Sequence, residues 1–167
     1  FFLSFIYHQI HFLLYLYLCV SDFMLPRLSN VPQLNNVVSD YLSELQKQHF
    51  EGDIASNYAD RLSLATDNSV YQQLPQAILF PKSVADVVRI AKLANKEKYL
   101  HLTFTPRGGG TGTNGQSINN NIIVDLSRHM TGILELNIEE RWVRVQAGVV
   151  KDQLNQFLKP HGLFFAP

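Results

Sequence analysis

Hydrophobic positions recur at helical spacing in two segments and predict two amphipathic helices. The first spans residues 32–48 and carries its apolar side chains on one face: Leu34, Val37, Val38, Tyr41, Leu42 and Leu45. The second begins at Ser83, which together with Asp86 three residues later resembles a capping box with Asp in place of the usual Glu. Lys96 and Lys98 follow this helix, and basic side chains suit a helix C-terminus.

Short apolar runs predict strands between and after these helices. The runs are Ala77–Phe80, Leu100–Thr105, Ile122–Leu126, Ile133–Asn137 and Trp142–Gln146. A third helix is predicted over Val149–Leu158, while residues 49–75 lack periodicity and are rich in Asp, Asn and Ser, which predicts a loop. The pattern therefore predicts an α+β fold, with one βαβ step followed by a run of strands.

Residues 1–23 differ in composition from the rest of the chain. They hold eight of the 19 aromatic residues, and residues 1–21 carry no charge, which is about the length of a membrane-spanning helix. A signal peptide would need a basic start and a small-residue cleavage site, which are absent here. A membrane anchor remains open, although polar residues interrupt the run. The third interpretation, an extension that is not native protein, is favoured because Met24 opens a segment of ordinary composition.

Charge and cysteine content exclude several classes of function. The chain has 14 basic and 14 acidic residues among 167, so its net charge of zero does not indicate a nucleic-acid partner. Its one cysteine, Cys19, excludes an internal disulfide framework and a cysteine-based zinc or iron–sulfur site within this chain.

The candidate chemistry lies in the glycine-rich segment Pro106–Gln116, between two predicted strands. Five glycines occupy the eight positions 108–115, and without Cβ atoms their backbone N–H groups can converge on an oxyanion. Threonine and asparagine side chains in the segment add donors. Arg107 supplies either a charge for a phosphate or an anchor for the loop. A flexible linker would be flanked by polar sequence, so the apolar flanks favour phosphate binding.

Two familiar phosphate loops do not fit this segment. Gly110, Gly112 and Gly115 have the dinucleotide-binding spacing, but the residues that follow run into a strand, whereas that motif opens a helix. Residues 110–117 match the nucleotide-hydrolysing P-loop except that Gln116 stands at its lysine. What remains is a strand–loop–strand glycine-rich nest that holds phosphate through backbone donors.

The loop and its flanks resemble the FAD-linked oxidases and dehydrogenases of the vanillyl-alcohol oxidase type, which carry a PCMH-type FAD-binding domain. Pro106–Gln116 resembles the pyrophosphate loop of that family. The other resembling segments follow in the same order: Tyr71 with Pro75–Phe80, Pro81–Val87, Ile123–Ser127, Gly132–Leu134, Val143–Val149 and Leu154–Pro167. Residues 24–60 are further similar to the bacterial group that joins a flavin domain to an iron–sulfur domain, which includes D-2-hydroxyglutarate and D-lactate dehydrogenases.

The resemblance implies FAD as the cofactor and carries over a set of binding residues. Those expected around the pyrophosphate are Arg107, Gly108, Gly109, Gly110, Thr111, Gly112, Thr113, Asn114 and Gly115, and those expected in a turn near the flavin are Gly148 and Val149. Some relatives tether the flavin through a histidine of this loop. Thr111 stands at that place here, so non-covalent FAD is expected. No catalytic or metal-ligating residue is assigned.

The resemblance also implies a domain organisation. Residues 1–23 form the hydrophobic extension, residues 24–54 a helical segment, and residues 55–167 the first, phosphate-binding part of a PCMH-type domain that is expected to be incomplete. In the family, a second glycine-rich stretch, a substrate domain and, in the bacterial group, an iron–sulfur cluster belong to later sequence. The expected activity is therefore that of the parent enzyme, which oxidises a D-2-hydroxy acid by hydride transfer to flavin.

The alternative interpretation is a truncated, non-catalytic fragment without stable cofactor binding. A cytoplasmic location is expected, and peripheral association with the inner membrane stays open. Structural roles are favoured for His101 and His129, and Asp125 at a strand end is expected to bind nearby turn amides.

Overall fold

The computed structural model describes residues 33–166, so the hydrophobic extension and its three interpretations lie outside the described residues. The helices are α1 (Asn36–Lys47), α2 (Tyr58–Ser63), α3 (Val84–Ala94) and α4 (Lys151–Leu158), with short 3-10 helices at Glu97–Tyr99 and Lys159–His161. The strands are β1 (Asp53–Ala55), β2 (Ala77–Phe80), β3 (Phe104–Arg107), β4 (Ile122–Asp125), β5 (Ile133–Asn137) and β6 (Trp142–Val145). No helix within the described range is long and apolar enough to cross a membrane.

The six strands form two sheets, which confirms the predicted α+β class. The larger sheet has the order β1-β2-β4-β3, in which β4 is parallel to both neighbours and β1 is antiparallel to β2. Strands β5 and β6 form a separate antiparallel hairpin. Because β3 and β4 are parallel neighbours, the chain must cross from one end of the sheet to the other between them. Residues 108–121 make this crossover without a helix.

Both faces of the central strands are buried, which explains why β2 and the first three residues of β4 are all apolar. Helices α1 and α3 cover one face, where Tyr41 and Leu45 pack with Ile90, Leu79 and residues of β4. A smaller cluster covers the other face: Ala55, Ile78, Phe80 and Ile123, with Leu64 packed against it. The predicted boundary between residues 54 and 55 falls within β1.

The predicted cap of α3 is half right. Ser83 Oγ accepts a hydrogen bond from the Asp86 N–H at 3.2 Å. The reciprocal bond is wrong, because the Asp86 carboxylate accepts from the N–H groups of Lys82 (3.0 Å) and Glu51 (3.1 Å) and from Arg89 (2.9 Å). Asp86 is fully buried. It therefore fastens the segment before β1 to the start of α3.

The lysines after α3 bind the neighbouring helix rather than only the helix end. Lys96 forms an ion pair with Glu44 of α1, and Lys98 lies 2.6 Å from Glu44 and 3.1 Å from Asp40. The Tyr99 hydroxyl lies within 3.0 Å of both carboxylates. The hydrogen bonds from Lys96, Lys98 and Tyr99 lower the pKa of Glu44 to about 2. This group of side chains joins α1 to the end of α3.

Two segments differ from their predicted structure. Residues 49–75 are not all loop, since they contain β1 and α2, whose short lengths leave no readable period. The predicted strand Leu100–Thr105 begins only at Phe104 and continues to Arg107. Pro106 is tolerated within β3 because β3 is an edge strand. His101 consequently lies exposed in a turn and not in a strand.

Candidate phosphate-binding site

Arg107, the last residue of β3, anchors the glycine-rich loop. Its Nη1 donates hydrogen bonds to the carbonyl oxygens of Thr66 at 2.9 Å and Ser117 at 3.4 Å. The guanidinium lies against Gly110, where a Cβ atom would come within 2.3 Å of Arg107 Nη2. Of the two roles left open by the sequence, the structure therefore supports the anchor.

A support segment, residues 66–71, holds the loop from the outside. The Asn68 N–H donates to the Gly110 carbonyl at 3.1 Å, and Ser117 Oγ donates to the Asp67 carboxylate at 3.1 Å. Hydrogen bonds from Ser69 and then Ser117 lower the pKa of Asp67. The sequence did not reveal this supporting role, because the polar composition of residues 66–71 indicated only a loop.

The second half of the loop is folded on itself. Gln116 Oε1 accepts a hydrogen bond from the Asn114 N–H at 2.9 Å, and a Cβ atom at Gly112 would lie 2.6 Å from Gln116 Cδ. Gly115 has a φ of +74° and packs against the Tyr71 ring. The backbone donor of Asn114 is thus used within the loop.

The first half of the loop, residues 108–111, faces a cleft of about 480 Å³. Gly108, Gly109 and Thr111 form one part of its lining. The rest comes from Ser127 and from the turn that leads into α4: Ala147, Gly148, Val149, Val150, Lys151 and Asp152. The structure therefore brings together five of the expected residues, namely Gly108, Gly109, Thr111, Gly148 and Val149. The other six do not line this cleft: Arg107, Gly110, Gly112, Thr113, Asn114 and Gly115.

The backbone of the cleft offers donors to an anion. A Cβ atom at Gly108 would meet nothing within 4 Å, so the chain there is bare and open. Across the cleft, α4 begins after Val150, and no side chain caps its N-terminus. Uncapped N–H groups at a helix start, together with the helix dipole, favour negative charge.

Gly148 fixes the turn before α4 against the end of β4. A Cβ atom at Gly148 would lie 2.1 Å from the Leu126 carbonyl oxygen, so only glycine fits without a backbone shift. Its N–H donates to the Met130 carbonyl at 2.9 Å. This close approach of two backbones places the turn beside Ser127.

Asp125 has the predicted structural role. Its buried carboxylate accepts hydrogen bonds from the N–H and the hydroxyl of Ser127, at 2.8 and 2.7 Å. With its proton donated to Asp125, the Ser127 hydroxyl presents only acceptor lone pairs to a ligand. Ser127 and Lys151 are site residues that sequence analysis did not identify, since neither lies in a glycine-rich stretch.

His129 lies outside the cleft and pairs with Asp53 of β1. The distance from His129 Nε2 to Asp53 Oδ2 is 2.6 Å, and Lys82 Nζ lies 3.3 Å from the same carboxylate. His129 and Lys82 together lower the pKa of Asp53. The contact joins β1 to the segment after β4. Among residues 33–166, no three His, Cys, Asp or Glu side chains are grouped to hold a metal ion.

The fold and the cleft define an α+β domain in which a glycine loop between parallel strands faces the start of a helix. Residues 75–167 match the family described as the FAD binding domain, and the chain belongs to this family. The expected resemblance to FAD-linked oxidases and dehydrogenases is therefore confirmed.

The chain is similar to curated D-2-hydroxyglutarate dehydrogenases. It is 82% identical to the one from Haemophilus influenzae over 144 residues, which cover 86% of this chain. It is 61% identical to the one from Escherichia coli over 144 residues, again 86% of this chain. In both comparisons the chain spans only 14% of the length of the relative.

The fold is also found in solved structures. An alkyldihydroxyacetonephosphate synthase structure superposes with a TM-score of 0.64 at 19% sequence identity. The match covers 80% of this chain and 26% of that protein. At this identity the likeness concerns the fold alone.

Proposed function

We propose that the cleft binds the pyrophosphate of FAD without a covalent bond, and that the chain is the cofactor-binding part of a longer D-2-hydroxyglutarate dehydrogenase. The observation that carries this proposal is the meeting of Gly108–Thr111 with Ala147–Asp152 in one cleft. The resemblance marks residues in both segments for FAD, although they lie far apart in the sequence.

The chemistry of the cleft fits a dinucleotide diphosphate. Gly108 and Gly109 bring no side chain between the backbone and a ligand, and the uncapped start of α4 favours negative charge. Thr111 stands at the place where some relatives tether the flavin through a histidine, and this supports non-covalent binding. FAD supplies the electron acceptor when bound, while these residues bind and orient it.

The substrate follows from the relatives and not from the cleft. The identity of 82% to a D-2-hydroxyglutarate dehydrogenase supports a D-2-hydroxy acid, and D-2-hydroxyglutarate first. Because the match spans 14% of that relative, the oxidation is proposed for the longer protein. An iron–sulfur cluster in the remainder of that protein and a cytoplasmic location stay predictions.

The first test is FAD binding by the purified chain after removal of bound nucleotide. We expect saturable quenching of flavin fluorescence and a rise in melting temperature with FAD concentration, because a ligand that binds only the folded state stabilises it. Riboflavin, which lacks phosphate, is the control and should bind more weakly. Acid precipitation should release all of the flavin.

Two results would contradict the proposal. If the folded chain does not quench the fluorescence of added FAD, and FAD does not raise its melting temperature, the result would support the alternative, a fragment without stable cofactor binding. Flavin that stays with the acid-precipitated protein would contradict non-covalent binding. For the substrate, D-2-hydroxyglutarate should bleach the flavin absorbance of the longer protein and its L-isomer should not.

A further inference from the structure

Among the described residues that line the cleft, one side chain is cationic: Lys151, the first residue of α4. Lys151 is exposed and lines the cleft together with Gly108 and Gly109 of the loop. Neither the glycine pattern nor the resemblance carried over to this chain marks Lys151 as a binding residue. A bound pyrophosphate is negatively charged, and Lys151 lies where a cation could compensate that charge.

Arg107 does not supply that charge. Both of its acceptors are backbone carbonyl oxygens of this chain, those of Thr66 and Ser117, and it does not line the cleft. Moving the guanidinium toward a phosphate would break these bonds and release Gly110 from its place against the side chain. Arg107 therefore holds the loop in place and is not available to bind a phosphate.

Six other basic residues in the described part of the chain are paired with a carboxylate. Each of them lies within 4 Å of one: Lys82, Arg89, Lys96, Lys98, Arg128 and Arg144. Lys151 has no ion pair within residues 33–166. The carboxylate nearest in sequence, Asp152, lines the same cleft and makes no ion pair in the described part of the chain.

We propose that Lys151 is the cation that binds the FAD pyrophosphate, a role that rests on the FAD-binding function proposed above. A lysine ammonium is a compact charge with three donors on a flexible stem, and it suits a phosphate approached from several directions. Gly108 and Gly109 then supply shape and backbone donors, while Lys151 supplies charge. The Asp152 carboxylate opposes this attraction and limits the affinity.

The test measures the affinity of ADP and FAD for three variants at low salt. ADP carries the diphosphate without the flavin, so it probes this cleft directly. Lys151→Gln should weaken both ligands about tenfold or more, the range expected for a lost charge-assisted hydrogen bond. Lys159→Gln, at the other end of the same helix and outside the cleft lining, is the matched control and should leave both affinities unchanged. Asp152→Asn should tighten both ligands.

Three further readouts separate charge from structure. Lys151→Arg should restore most of the affinity, riboflavin binding should not respond to Lys151→Gln, and the melting temperature of that variant without ligand should equal that of the wild type. Unchanged ADP and FAD affinity in Lys151→Gln, or an equal loss in Lys159→Gln, would overturn the role of Lys151 and leave FAD binding intact. A folded wild-type chain that binds neither ligand would overturn the proposed function itself.

Discussion

At the scale of single residues, Gly109 and Gly110 are neighbours with different reasons to be glycine. Gly110 has a φ of +66°, and a Cβ atom there would overlap the Arg107 guanidinium. Gly109 lacks a positive φ, and its Cβ atom would meet only Thr111 Cγ2, at 3.6 Å. The fold of the loop requires glycine at position 110, whereas position 109 has room for a methyl group and borders the proposed FAD cleft.

This difference predicts opposite results for two alanine substitutions. Gly110→Ala should lower the free energy of unfolding by about 1–3 kcal/mol, because a left-handed backbone position becomes strained and Arg107 must move. Gly109→Ala should leave stability within about 0.5 kcal/mol but weaken FAD binding, because its methyl group takes up space in the cleft. Urea unfolding and FAD titration on both variants check this. Equal losses of stability would contradict it.

The sequence could predict some residue roles and not others for a physical reason. Asp125 binds Ser127, two residues away, so its local role could be predicted from the strand end. Arg107 binds Thr66, 41 residues away. A sequence shows that an arginine can donate hydrogen bonds, but the acceptor of this one is supplied by the tertiary fold.

At the scale of elements, the contact between α1 and the end of α3 depends on Glu44. Its pKa falls from an ordinary 4.5 to about 2 because Lys96, Lys98 and Tyr99 hydrogen-bond the carboxylate. The folded state therefore favours the charged form of the Glu44 carboxylate more strongly than the unfolded state does. The stability that this provides is complete above pH 4.5 and is lost as the pH falls toward 2.

Glu44→Gln should therefore reduce the loss of stability between pH 4.5 and 2, while lowering stability at neutral pH. The measurement is the free energy of unfolding at a series of pH values. Glu139→Gln at the exposed turn between β5 and β6 is the control, because Glu139 has no ion pair among the described residues. If the free energy of unfolding fell as steeply with acid in Glu44→Gln as in the wild type, the ionised Glu44 carboxylate would not contribute to the acid dependence of stability.

Elements could be predicted where burial alone determines them. Strands β2 and β4 are central and buried throughout, and their sequence positions were predicted to within one residue. Strand β3 was placed too early, because an edge strand admits Pro106 and Arg107, residues that break an apolar run. Strand β1, with three residues, is too short to show a period.

At the scale of the whole molecule, one face of the domain exposes an apolar groove of about 430 Å³. It lies between α3 and the β3–β4 edge of the sheet, and its lining includes Val87, Ala91, Phe104, Pro106 and Leu126. Contiguous exposed apolar surface favours association and the binding of hydrophobic dyes.

The chain should therefore bind the dye ANS and self-associate as its concentration rises. Ala91→Glu places a charge in the groove and should reduce both effects without a large loss of stability, because Ala91 is exposed. Lys92→Glu changes the charge of the next residue, which does not line the groove, and serves as the control. Dye fluorescence and light scattering provide the measurements. Equal behaviour of both variants would mean that another surface causes association.

The fold class could be predicted from the pattern of elements, but the meeting of the loop with the turn before α4 could not. That meeting depends on the Gly148 backbone lying against the Leu126 carbonyl, a contact set by three-dimensional packing. The resemblance supplied both segments as expected FAD contacts, and the structure supplied the cleft between them.

The strand order β1-β2-β4-β3 has a consequence for the time course of folding. The slot between β2 and β3 is filled by β4, which leaves the ribosome after both of its neighbours. Until residues 122–125 are inserted, β3 has no partner among the strands of residues 33–166, and Arg107 lacks its neighbour Asp125. The glycine-rich loop can therefore take its folded form only once β4 has entered between β2 and β3, so nucleotide binding should follow the insertion of β4 and not precede it.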